Sequence, residues 1–177
     1  MSDLVEVLII DHLTIKHAGE IFNPDLEIGD FMNFHSYLKE CHMEIEEKIL
    51  FPTLKKGRWG DERWFFTKID QLISDHRLID SMVQNIVNWH RSGEMEMVIE
   101  HLPLYFKILV DHNNSEESYI FGRWKMISDE ERISAMTEAK GVIKNFGMKR
   151  YLGITGLSED AFVYMFGSAP AIEKQVA

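Results

Sequence analysis

The chain has 177 residues, enough for one domain with a modest extension. Its hydrophobic content of 45% supports a packed core, and its formal charge of -10 argues against a phosphate-backbone partner such as nucleic acid. No apolar run approaches the roughly 20 residues of a membrane span, and the first residues lack the basic start of a signal peptide. A single cysteine, Cys41, excludes an internal disulfide and fits a reducing compartment. We therefore expect a cytoplasmic globular protein.

Apolar residues recur at helical spacing along most of the chain, and no useful stretch alternates as a β-strand would. The loops FNPDLEIGD and KGRWGD and the turn RSGE separate the first segments. A capping box formed by Ser128 and Glu131 starts a later helix, and the segment after Phe146 reads as a glycine-rich connection. The predicted helices are about Ser2–Glu20, Gly29–Lys55, Glu62–Arg91, Glu94–Phe121, Ser128–Asn145 and Glu159–Phe166. These lengths predict an all-α fold, an up-down four-helix bundle over residues 1–125 with a helical C-terminal extension over 126–177.

One short sequence occurs twice. HMEIEEKILFP begins at His42, and HNNSEESYIFG begins at His112. Each has a glutamate four places after the histidine, a second glutamate next to it, and then an aliphatic residue and a phenylalanine. LIIDHLTI in the first helix, with His12, is matched by LISDHRLI in the third, with His76. Each half of the bundle therefore reads as a DH helix followed by an HxxxE helix.

Residues at i and i+4 project from one helical face, one turn apart. An imidazole and a carboxylate placed in this way can bind a metal ion together, or each can bind one of two neighbouring ions. The pairs His42/Glu46 and His112/Glu116, with His12 and His76, would supply four nitrogens and two carboxylates. Such a mixed donor set suits two iron or manganese ions bridged by the glutamates. Zinc more often takes four tetrahedral ligands, commonly with thiolates.

The placement of these residues is more specific than the HxxxE pattern alone. A third match, His90–Glu94, spans the RSG turn and is read as accidental. Antiparallel neighbours lie level when they are equally far from their connecting loop, and His42 and His76 lie about 13 and about 14 residues from theirs. The same count brings His112 close to level with His76. All the donors are therefore predicted in one layer, where unrelated core histidines would leave unpaired polar groups.

These four motifs, DHLTI, HMEIEEKILFP, DHRLI and HNNSEESYIF, resemble those of the hemerythrin-like (HHE cation-binding) family, over about Ser2–Phe121. The resemblance implies a non-haem di-iron centre with Glu46 and Glu116 as bridges. Its metal ligands would be His12, His42, Glu46, His76, His112 and Glu116.

Two positions depart from the oxygen-carrying hemerythrins. Those proteins have a second histidine one turn on in the third helix and a bridging aspartate in the fourth helix. Here Asp80 and Glu116 occupy these positions. The departures argue against plain reversible dioxygen carriage. They favour the family's broader group of iron or oxygen sensors, nitric-oxide-responsive proteins that help repair iron centres, and small oxidoreductases.

The expected cofactor is a pair of iron ions, with manganese or a mixed pair also compatible. The expected function is binding or reduction of a small ligand: dioxygen, nitric oxide or peroxide. One alternative is an iron, oxygen or redox sensor without turnover, in which metal occupancy changes the packing of residues 128–177 and so a contact with a protein partner. A second alternative is iron storage or donation for the repair of iron centres.

Several other residues receive weaker assignments. His35 and Tyr105, each seven residues before a proposed ligand, are read as hydrogen-bonded interior residues. The alternatives are that they line the approach to the metals or supply a seventh ligand. Asp80 either accepts a hydrogen bond from a ligating imidazole or is solvated. Glu47 and Glu117 are read as solvated neighbours of the bridging glutamates. Cys41 is read as a buried thiol, and the remaining histidines as helix-end or surface residues: His17, His90 and His101.

Overall fold

The computed structural model describes residues 3–22 and 28–167, which form helices and no strand. Residues 28–56 form one uninterrupted helical run, α2. The predicted start at Ser2 and the end of the extension lie outside the described residues. The other helices are α1 (Leu4–Ile21), α3 (Glu62–Ser92), α4 (Met95–Tyr119), α5 (Phe121–Trp124), α6 (Asp129–Phe146), α7 (Met148–Thr155) and α8 (Glu159–Phe166).

The helix ends follow the local signals in the sequence. Asp3 and Glu6 form a capping box at the start of α1. Ser128 accepts a hydrogen bond from the backbone N–H of Glu131 at the start of α6, as predicted. Gly93 ends α3 with φ of 80°, a left-handed conformation that glycine adopts without strain. The all-α bundle with a helical C-terminal extension is therefore confirmed.

Helix α2 differs from the regular helix that its sequence predicts. Its α-helical parts are Ile28–Tyr37, Met43–Ile45 and Phe51–Lys56, and they alternate with π-helical turns at Leu38–His42 and Glu46–Leu50. π-helical turns are rare, and those found inside α-helices frequently lie at functional sites. In this helix the two π turns contain His42 and Glu46.

Helix α7 is absent from the sequence-based prediction, which was wrong for this segment. Gly147 and Gly156 bound the helix with φ of 110° and 69°, so the glycines that suggested a loop mark its two ends. Between them Tyr151 is completely buried. Tertiary packing of this side chain therefore outweighs the glycine-rich composition.

The bundle and the extension share one hydrophobic core. Helix α3 packs along α4, and α4 packs along α1. Helices α6 and α7 both lie against α1, and α6 also packs on the π-helical part of α2. The extension therefore covers the side of the bundle formed by α1 and α2. Within residues 3–22 and 28–167, no helix combines the length and apolar character needed to cross a membrane.

Candidate metal centre

Six buried polar side chains meet in one layer of the bundle core. Glu46 and Glu116 lie at the centre of this layer and belong to both of its ligand groups. Within each group, one ligand atom from every residue lies within 4.8 Å of the others. The two groups are His12, His42, Glu46 and Glu116, and Glu46, His76, His112 and Glu116.

Each central carboxylate divides its oxygens between the two histidine pairs. Glu46 Oε1 lies 3.2 Å from His42 Nε2, and Oε2 lies 3.3 Å from His76 Nε2. Glu116 Oε2 lies 3.3 Å from His12 Nε2, and Oε1 lies 3.6 Å from His112 Nε2. Each central carboxylate therefore has one oxygen near each of the two histidine pairs.

A second set of carboxylates faces the outer nitrogens of two histidines. His12 Nδ1 lies 2.8 Å from Glu117 Oε1, and His76 Nδ1 lies 2.7 Å from Glu47 Oε1. These contacts favour a proton on Nδ1, so the Nε2 lone pair points into the layer, as metal ligation requires. The interpretation of Glu47 and Glu117 as solvated neighbours is confirmed by their exposure, but it missed these contacts with the histidines. Both are half-exposed, but each reaches the histidine of an adjacent helix.

The aspartates of the two DH motifs occupy equivalent positions behind the other two histidines. Asp11 Oδ2 lies 3.5 Å from His42 Nδ1, and Asp75 Oδ2 lies 3.6 Å from His112 Nδ1. The sequence analysis did not assign a role to either residue. The signal was the repeat itself, because both the aspartate before the DH histidine and the second glutamate recur in both halves.

The phenylalanine of each repeat covers a histidine of the other half. The Phe121 ring stacks on His12 with a centroid distance of 5.3 Å, and Phe51 lies over His76 at 6.2 Å. Each of these phenylalanines follows a central glutamate, Glu46 or Glu116, by five positions. Both phenylalanine side chains are buried, so each histidine ring has an apolar side chain against one face.

The polar atoms that face inward have a chemistry that a cation fits. His12 Nε2, His42 Nε2 and all four oxygens of Glu46 and Glu116 are buried and lack hydrogen-bond partners among the described residues. His76 Nε2 and His112 Nε2 lie 3.0 Å apart. If both imidazoles are neutral, only one of these nitrogens can donate a hydrogen bond to the other. Buried groups without partners are costly. Two cations between the histidine pairs and the glutamates would satisfy these atoms together.

Protons are held strongly in the same layer when no metal is bound. Burial opposes the charged form of His12, but Glu116 and Glu46 outweigh it and raise the pKa to about 10. His76 shows the same balance: Glu46 and Glu47 overcome burial and raise its pKa to about 10. Burial alone would raise the pKa of Glu46, but the surrounding histidines hold it well below its usual value. Cations and protons therefore compete for these nitrogens.

His35, Asp80 and Tyr105 lie outside the two ligand groups. Asp80 contacts His35 Nε2 at 2.9 Å and Lys39 Nζ at 3.0 Å, so its hydrogen-bond partner is not one of the six clustered histidine and glutamate residues. Burial lowers the pKa of His35 although Asp80 opposes the shift. Tyr105 is completely buried, and its hydroxyl lacks a hydrogen-bond partner in the described part of the chain. The expectation of a hydrogen-bonded interior residue is thus confirmed for His35, whereas Tyr105 is interior as expected but shows no hydrogen bond among the described residues.

The remaining candidates lie where the sequence places them, with one exception. Cys41 is buried, and burial raises the pKa of its thiol. His17 is exposed near Glu20. His101 is instead partly buried: its Nδ1 donates to the Met97 carbonyl, and its ring lies 4.6 Å from the Trp89 ring.

The layered histidines and glutamates agree with the comparison with known families. The hemerythrin HHE cation binding domain matches residues 3–124. The chain belongs to this family. No curated protein and no solved structure matches the chain. The match covers the four-helix bundle of this hemerythrin-family protein and ends before α6.

Replacing Glu47 or Glu117 by glutamine should weaken metal binding by about 10-fold or more, because each carboxylate orients a histidine that faces the centre. Titration of the metal-free protein with ferrous iron measures the change. Glu100→Gln is the control, since Glu100 is exposed on α4 and contacts none of the six residues. Equal affinities for Glu47→Gln, Glu117→Gln and Glu100→Gln would contradict this role.

Removal of metal should lower the thermal midpoint, and the difference should grow with pH. In the metal-free protein, His12 and His76 have pKa values of about 10, raised from 6.5. Their contribution to stability is therefore complete below about pH 6.5 and is lost as the pH rises to about 10. In the loaded protein Nε2 of each histidine would bind metal in place of a proton, so this loss should not occur. Thermal melts at about pH 6 and about pH 9 test the trend; identical curves for both forms would mean that the layer is not a buried metal site.

Proposed function

We propose that this hemerythrin-family protein holds two iron ions and binds or reduces a small ligand there, namely dioxygen, nitric oxide or peroxide. The ligands would be His12, His42, Glu46, His76, His112 and Glu116. The observation that carries the proposal is the division of the Glu46 and Glu116 oxygens between the two histidine pairs. A single cation would leave one pair without a partner.

The donor set favours iron over zinc. Imidazole nitrogens and carboxylates suit iron or manganese, whereas structural zinc sites more often use thiolates. Cys41 is the single cysteine of the chain and belongs to neither ligand group. Iron bound by few protein ligands supplies electron transfer and open coordination positions.

The residues of the chain supply orientation, proton placement and exclusion of water. Glu117 and Glu47 hold the Nδ1 protons of His12 and His76, so both rings present Nε2 to the centre. Phe121 and Phe51 cover the same two rings. A dry layer of this kind protects a reactive ligand from solvent.

A cleft at the surface supports a route for the small ligand. It has a volume of about 220 Å³ and is lined by His76, Glu47, Met43, Lys39 and Asp80, among others. Of the six proposed ligands, His76 is the one that borders this cleft. We infer that a diatomic molecule or peroxide enters beside His76, and that nucleic acid is not a partner of this acidic chain.

A sensor function is the second candidate, because α6 and α7 pack on α1, where Tyr151 contacts Asp11, and α6 also packs on the π-helical turns of α2. Metal or ligand occupancy could then change how the extension contacts a protein partner. A steady-state assay with peroxide separates the two functions, since a sensor shows no turnover. The reduced thiol of Cys41 and the composition favour action in the cytoplasm for either function.

Protein purified without chelator should contain close to two transition-metal ions per chain, with iron predominant. Elemental analysis measures the content, and the visible spectrum before and after exposure to air shows whether the metals respond to dioxygen. One zinc ion per chain, or no metal after reconstitution with ferrous iron, would contradict the di-iron proposal.

Alanine at Glu46 or at Glu116 should remove a ligand from both ions together, because each carboxylate faces both histidine pairs. Elemental analysis and the visible spectrum should therefore show loss of the coupled pair, not loss of one ion alone. The matched control is Glu94→Ala at the third HxxxE sequence. Glu94 lies at the start of α4, where its side chain accepts a hydrogen bond from Ser92. Loss of metal in Glu94→Ala with retention in Glu46→Ala would show that the layer is wrongly assigned.

A further inference from the structure

Asp11 is a completely buried carboxylate next to the proposed metal layer. Its Oδ2 lies 3.5 Å from His42 Nδ1. Its Oδ1 accepts a hydrogen bond of 2.9 Å from the Tyr151 hydroxyl. Tyr151 lies on α7, beyond the family match that ends at residue 124. The extension is therefore connected to the layer by the hydrogen bond from Tyr151 to Asp11, whose carboxylate lies next to His42.

The energetic reason for this contact is the cost of burying a charge. A carboxylate without water needs hydrogen-bond donors or an opposite charge. Tyr151 is itself completely buried, and burial together with the charge of Asp11 raises its pKa, so the hydroxyl keeps its proton and remains a donor. The Tyr151 hydroxyl thus fixes one oxygen of Asp11, while the other faces His42 Nδ1 at 3.5 Å and has no hydrogen-bond partner among the described residues.

The other half of the layer has a different environment at the equivalent position. Asp75 lies 3.6 Å from His112 Nδ1, and 33% of its side chain is exposed. Water can therefore solvate Asp75 and allow it to move. The cleft beside His76 opens on this same half. Although the two halves repeat in sequence, one is buried under the extension and the other borders solvent.

We propose that Tyr151 is a positioning residue that acts through Asp11 on His42 and makes the His12/His42 half retain its metal longer than the His76/His112 half. This inference rests on the proposed function, since it assumes an ion at each half. By linkage, metal bound at the His12/His42 half stabilises the packing of α7 by the same free energy. The extension would thus respond to metal occupancy as well as support it.

The test is the release of ferrous iron to an excess of chelator under anaerobic conditions. The wild-type protein should lose iron in a fast phase and a slow phase. Tyr151→Phe removes only the hydroxyl and should accelerate the slow phase by about 10-fold or more. Asp11→Asn keeps an oxygen for the Tyr151 hydroxyl but removes the charge that faces His42, so it should accelerate the same phase.

Two controls separate this role from a general loss of stability. Tyr105→Phe is the same substitution at a completely buried tyrosine whose hydroxyl lacks a partner in the described chain, and it should leave both phases unchanged. Asp75→Asn should change the rate of the fast phase and leave the rate of the slow phase as in the wild type. A purely structural effect of Tyr151→Phe would lower the thermal midpoints of metal-free and loaded protein alike and would not change the release kinetics.

Hydrogen exchange supplies a readout that is independent of metal release. Iron loading should slow the exchange of α7 amides in the wild type, and this protection should be lost in Tyr151→Phe. A wild-type protein that binds no iron overturns the proposed function and this inference together. Wild-type protein with two ions, and a slow phase that is the same in Tyr151→Phe and Asp11→Asn, overturns only the role of Tyr151.

Discussion

Two carboxylates with completely buried side chains at the centre of the bundle, Glu46 and Glu116, are the constraint on which the rest of the site depends. Their oxygens lack hydrogen-bond partners among the described residues, and burial of two such charges is very unfavourable unless positive charge lies between or around them. The metal-free layer meets this need with protonated imidazoles, as the raised pKa values of His12 and His76 show. A pair of cations meets it with the same atoms, so the layer is built for positive charge in either state.

The duplicated sequence explains how each half of the chain depends on the other. Each half supplies its own pair of histidines, but the carboxylate behind a DH histidine comes from the opposite half. Glu47 of α2 holds His76 of α3, and Glu117 of α4 holds His12 of α1. The phenylalanines that end the two repeats also contact histidines of the opposite half: Phe121 packs on His12, and Phe51 packs on His76. A half alone would therefore lack one of the two central glutamates and the support for one of its histidines.

Spacing along helices was sufficient to predict the bundle and to place six of its buried polar residues in one layer. Helical spacing did not predict the contacts of Glu47 and Glu117 with the histidines. An acidic residue next to a predicted ligand lies about 100° round the helix from it and usually faces solvent. The side chains are long enough to reach an adjacent helix while remaining half-exposed, which helical periodicity does not show. The π-helical turns of α2 were also beyond prediction, since they depend on packing and not on local propensity.

The contact between Tyr151 and Asp11 joins residues 140 positions apart, so no local pattern could reveal it. It also removes the equivalence that the repeat would otherwise give to the two halves. The half that contains His42 is packed under α6 and α7, whereas the half that contains His76 borders a surface cleft. In the proposed centre, two ions in such unequal surroundings would divide their roles, because a small ligand would reach the exposed side while the buried side would keep its protein ligands fixed. The extension therefore bears on the chemistry of the site without supplying one of the proposed ligands.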